Sequence, residues 1–78
     1  MHLYGAPTII TDMKIYDIYF NDDTDSNNKG FEYSYDEAKA YIDTYNGTNE
    51  SYFEDYKGGT VSIVCNETEE TIYEEGIR

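Results

Sequence analysis

The chain has 78 residues, read as a single domain, 1–78. A domain this small buries only about 60% of the surface its unfolded chain exposes, which leaves little room for both a core and a deep substrate pocket. Seventeen Asp and Glu stand against five Lys and Arg, a formal net charge of -12, beyond the magnitude of roughly 2–8 that solubility asks of a small domain. Such a field repels phosphate backbones and excludes direct nucleic-acid binding. No apolar run approaches the roughly 20 residues of a membrane span. Ten tyrosines and three phenylalanines in periodic positions argue for a folded chain despite the acidity. Cys65 is the one cysteine, so no internal disulfide forms. Together with the lack of a signal-like segment, this points to a soluble protein of the reducing cytoplasm.

Met1 to Asp12 reads as irregular, punctuated by Gly5 and Pro7, with Thr8-Ile9-Ile10 a short edge strand if it pairs. Met13 to Asn21, MKIYDIYFN, is predicted as the first strand. Tyr16, Ile18 and Phe20 share one face, and Ile15, Asp17 and Tyr19 the other. The first set should meet a helix. The second leaves tyrosine on an open face, which an antiparallel sheet tolerates. Asn21 to Gly30, NDDTDSNNKG, carries no apolar residue and reads as a polar loop. Phe31-Glu32-Tyr33 leads out of it, with Tyr33 placed to staple against Ala38.

Ser34 to Gly47, SYDEAKAYIDTYNG, predicts an amphipathic helix with both ends marked. Ser34 is the N-cap and Glu37 completes a capping box. Asp36 and Glu37 sit where the helix dipole favours negative charge. Ala38, Tyr41, Ile42 and Tyr45 follow the spacing of a buried face. Asn46-Gly47 supplies a left-handed stop. In TNESYFEDYKGG, Tyr52, Phe53 and Tyr56 recur at near-helical spacing, which suggests a short helical turn ended by Gly58-Gly59. Thr60 to Cys65 is the second strand, with Val61, Ile63 and Cys65 on its apolar side. Asn66 to Glu69 is a hairpin turn. Glu70 to Glu74 is the third strand, and Gly76-Ile77-Arg78 a tail. The expected fold is α+β: one helix on a three-stranded, mostly antiparallel sheet, four-stranded if Thr8 to Ile10 pairs, in the order β-α-β-β.

No constellation of catalytic groups emerges, so the chain reads as a non-enzyme without cofactor or metal. The aspartate-rich loop invites a calcium reading. Counted from Asp25, however, the fifth position is Lys29; counted from Asp23, Asn28 and Ser34 stand where glycine and a bidentate acid belong. His2 and Cys65 alone cannot build a zinc site. Cys65 lies in the apolar phase of its strand and lacks an activating base. The negative field around it should raise its pKa. The sequons at Asn46, Asn49 and Asn66 are what chance gives in a chain rich in Asn, Ser and Thr.

Three acidic clusters remain as candidate partner-binding sites: Asp22, Asp23 and Asp25; Glu50, Glu54 and Asp55; and Glu67, Glu69, Glu70, Glu74 and Glu75. Tyr52, Tyr56 and Tyr73 stand beside them, and tyrosine is enriched at binding hot spots. Duplex DNA carries one charge per about 1.7 Å, and ordered carboxylates could compete with it for a protein's basic groove. The plain alternative is a solvated edge that discourages sheet-to-sheet aggregation.

In size, acidity, lack of catalytic groups and Tyr/Asn/Asp/Glu-rich make-up, the whole chain resembles small anti-defence proteins of phages and mobile elements, such as anti-CRISPR proteins. The resemblance is compositional and carries over no functional residue. It implies a stoichiometric inhibitor that binds the basic surface of a nucleic-acid-handling complex, in some cases by imitating DNA. The other reading is a small regulatory or accessory domain, dimeric or not, that binds through the tyrosine-bearing sheet face of Ile15 and Tyr19.

Overall fold

The computed structural model of the chain describes residues 14–78. The expectations for Thr8 to Ile10, His2 and the Met13 strand start lie outside that range. The elements run β1 (Tyr16–Asn21), β2 (Ser26–Glu32), α1 (Tyr35–Tyr45), α2 (Ser51–Asp55), β3 (Thr60–Cys65) and β4 (Glu70–Gly76). The class is α+β, with an open four-stranded antiparallel sheet in the order β2-β1-β3-β4. Both helices pack on one face of the sheet. Among the described residues no helix is long and apolar enough to cross a membrane.

Alternation explains the central strands. Ile18, Phe20, Val61 and Ile63 are buried in one core with the helix residues, and Cys65, in the same phase, is buried too. Phe20 is the hub: its ring centroid lies 4.8 Å from Phe53, 5.7 Å from Tyr52 and 5.8 Å from Tyr56. Edge-to-face and tilted contacts of this kind add to the area they bury. The predicted helical turn is therefore real, and α2 delivers Phe53 to the middle of the core. Gly58-Gly59 ends it as expected. A Cβ at Gly59 would collide with the carbonyl oxygen of Asn21, so only glycine lets the chain enter β3 there.

Helix α1 begins as its sequence dictates. The Ser34 hydroxyl oxygen accepts from the Glu37 N–H at 3.1 Å, and the hydroxyl donates to the Glu37 carboxylate at 3.2 Å. It stops at Gly47, where φ is +94. Ala38 and Ile42 are fully buried, while Tyr41 and Tyr45 lie at the margin of the face. The expected Tyr33 staple does not form. Tyr33 is 61% exposed and its ring packs edge-on against Phe31 at 5.5 Å.

Two further corrections bear on the sheet. The segment expected to be a polar loop is a β-hairpin: Asp22 to Asp25 make the turn, and Ser26–Glu32 is a full edge strand. The fourth strand thus comes from SNNKGFE, and the order is β-β-α-α-β-β rather than β-α-β-β. An edge strand needs only its backbone on one side, and this one takes its partner from β1. Its side chains, mostly exposed, have no reason to alternate. The second correction concerns the expected tail. Strand β4 runs on to Gly76, and the Ile77 N–H donates to the Gly59 carbonyl at 2.9 Å while the Gly58 N–H donates to the Ile77 carbonyl at 3.1 Å. Those bonds carry the Ile77 side chain into the core, where it is 5% exposed.

Candidate functional site

Among the described residues, no helix lies over one face of the sheet. Register places Asp17, Tyr19 and Asn21 of β1 there, beside Phe31, Asn28 and Ser26 of β2. Ser62 and Val64 of β3 and Glu74 and Thr71 of β4 complete it. A row of hydrogen bonds crosses all four strands. The Ser26 hydroxyl donates to Asn21 Oδ1 at 2.6 Å, Asn21 Nδ2 donates to Ser62 Oγ at 3.2 Å, and the Ser62 hydroxyl donates to Glu74 Oε2 at 3.2 Å. Each donor points the same way, so the row ends on a carboxylate at the sheet edge. Ser62, 4% exposed, is held by both neighbours. Networks in which every member is satisfied fix geometry, and here the fixed group is Glu74. Beside the row, Tyr19, Val64 and Thr71 line a shallow concavity of about 240 Å³ that reaches Glu69.

The described residues include all five Lys and Arg. Lys29 Nζ lies 4.5 Å over the Tyr52 ring and Lys39 Nζ 4.9 Å over the Tyr73 ring, both on the helix side. Lys39 also bonds Asp43 one turn on, at 2.8 Å. Arg78 Nη2 donates to the Asn46 carbonyl at 3.2 Å. Lys57 follows α2, and Lys14 reaches Glu67 in the β3–β4 turn at 3.8 Å. The open face keeps Asp17 and Glu74, with Glu69 at its β3–β4 end, whereas Glu70, opposite Cys65, falls on the helix side.

The acidic clusters fare differently. Glu69, at φ +61, borders the concavity, and Glu70 begins β4 opposite Cys65. Glu67 is the Lys14 partner. Glu75 points to the helix side, opposite Val61, where its carboxylate accepts from Asn46 Nδ2 at 2.6 Å and from the Tyr73 hydroxyl. Burial pushes its carboxyl up, but the Tyr73 and Asn46 bonds outweigh it, and the net direction is down. Asp22 accepts from the N–H and hydroxyl of Thr24 within its own turn. Asp25 accepts from the Tyr56 hydroxyl at 2.6 Å and from Asn27 Nδ2; the Tyr56 bond is the chief reason its carboxyl lies below the usual range. That bond brings the Asp22, Asp23 and Asp25 turn to the end of the sheet that holds Glu54 and Asp55, which are exposed on α2. Glu50 is exposed at the start of α2. The tyrosines beside these clusters are engaged inward: Tyr56 belongs to the core, and Tyr52 and Tyr73 pack against it.

Among the described residues no group of three or more His, Cys, Asp or Glu is arranged to hold a metal ion. Cys65 is buried as its strand phase predicts, but hydrogen bonds from the Thr68 backbone and side chain pull its thiol below the ordinary value, contrary to the expected rise. Alternation along β1 is enough to place Asp17 and Tyr19 on the open face. It does not reveal Asn21, Ser62 or the exposed Phe31–Tyr33 pair as neighbours, because their juxtaposition needs the strand order. Comparison with protein-family models, with curated proteins and with solved structures finds no match for this chain.

Proposed function

We propose that the protein is a non-catalytic binding module whose open sheet face docks on a basic protein surface, that of a complex which handles nucleic acid. The observation that carries this reading is the carboxylate end of the hydrogen-bonded row: Glu74 accepts from Ser62 on a face that also keeps Asp17 and Glu69, while Lys29 and Lys39 lie over rings on the helix side. A held carboxylate loses little freedom when an arginine or lysine arrives. Occupying such a surface denies it to a phosphate backbone, so the module inhibits by competition, in the manner of an anti-CRISPR-like DNA mimic. Phe31 and Tyr33 at the margin supply the aromatic area that hot spots favour.

The test is affinity capture from lysate of the source cells at low and high salt, followed by displacement with duplex DNA. Capture should fall steeply with salt, DNA should release the partner, and Glu69→Gln with Glu74→Gln should abolish retention. Retention that ignores salt and depends on Tyr19 would favour the regulatory-domain reading instead. A homodimer through this face would oppose Asp17, Glu69 and Glu74 to their own copies, at a cost in like-charge repulsion.

A further inference from the structure

Helix α1 ends on Asn46-Gly47, and Gly47 is required there. Its φ of +94 belongs to the left-handed region, where any side chain is strained. A glycine after asparagine also leaves the backbone nitrogen unshielded, so the pair is chemically the most labile kind of asparagine site. The fold places this one in a clamp. Asn46 is 6% exposed. Its Nδ2 donates to Glu75 Oε2 at 2.6 Å and to the Gly76 carbonyl at 2.9 Å, and its Oδ1 accepts from the Arg78 N–H at 2.9 Å. One amide thus ties the end of α1 to the end of β4.

We propose that Asn46 is a spontaneous deamidation site that folding masks, and that its conversion unlocks β4 from α1. The Gly47 backbone nitrogen attacks Asn46 Cγ. The N–Cγ bond forms, the Cγ–Nδ2 bond breaks, and ammonia leaves with the proton shed by the Gly47 nitrogen. Water then opens the cyclic imide at either carbonyl, to aspartate or to isoaspartate. No other reactant is needed. In the folded chain, turning Cγ toward Gly47 sacrifices three hydrogen bonds, so the reaction waits for local opening. The product cannot return to the clamp. The aspartate formed from Asn46 has no side-chain N–H for Glu75 or Gly76, and its carboxylate sets a second negative charge beside Glu75. Isoaspartate adds a backbone atom as well. Deamidation therefore records unfolding irreversibly.

The experiment uses the full chain at mildly alkaline pH, with and without urea, and follows the Asn46 peptide by mass spectrometry with isoaspartate detection. Native protein should deamidate at Asn46 about tenfold or more slowly than unfolded protein. Glu75→Gln, which weakens the clamp, should raise the native rate toward the unfolded one. Protein deamidated in urea and returned to buffer should melt at a lower temperature than intact protein. Equal rates with and without urea would overturn the masking, and a recovered melting temperature would overturn the lock.

Discussion

The two faces of the sheet are made by the same strands and differ in almost everything else. Phe20 and Tyr19 are neighbours in β1, yet Phe20 is 1% exposed among the aromatic rings of the core while Tyr19 stands over an uncovered polar row. On the covered face, side chains are held by packing, and polar groups appear only as ties at the margin: Asp25 to Tyr56, and Glu75 to Asn46 and Tyr73. On the open face, order comes from hydrogen bonds passed across strands, which end on one oxygen of the Glu74 carboxylate. Packing is thus concentrated on one side and the proposed recognition chemistry on the other, so each can be altered separately.

The largest effect should come from breaking the covered face. Phe20→Ala should cost about 3–5 kcal/mol in urea unfolding, since it removes the ring that Tyr52, Phe53 and Tyr56 share. For so small a domain that is most of its stability.

Acid should act next, through the ties. The Glu75 carboxyl lies below its ordinary value in the folded chain, so on acidification the unfolded chain takes up the proton first. Its contribution is whole above about pH 5 and drains away as pH falls through about 4 and below. Protonating the many other acids also relieves self-repulsion. The clean measure is therefore the difference in melting temperature between wild type and Glu75→Gln. It should favour wild type at about pH 6 and shrink toward zero near about pH 3. A difference that stays constant across that range would remove Glu75 from the account.

The smallest effect on stability should come from the open face. Tyr19→Ala should cost about 1 kcal/mol or less, the span of strand preference itself. If it matched Phe20→Ala, the open face would be a second core and the contrast would collapse.

Elements whose causes are local can be read from the residues alone. Ser34 and Glu37 sit three residues apart and cap α1 wherever the helix goes; Gly47 stops it; Val61, Ile63 and Cys65 alternate because one face of β3 is buried. The remaining features exist only once the chain is assembled. Strand β2 forms because β1 offers its backbone, and SNNKGFE bears no periodic mark of that. Ile77 is a core residue because Gly58 and Gly59 bond the chain just past the end of β4. The open-face row joins Asn21 and Ser26 of the first hairpin to Ser62 and Glu74 of the last, distant in the chain and neighbours only in the order β2-β1-β3-β4. Local patterns repeat within a turn or a pleat and can be read directly. Pairing between distant strands is settled by backbone bonds that any side chain can make, so it leaves no such trace.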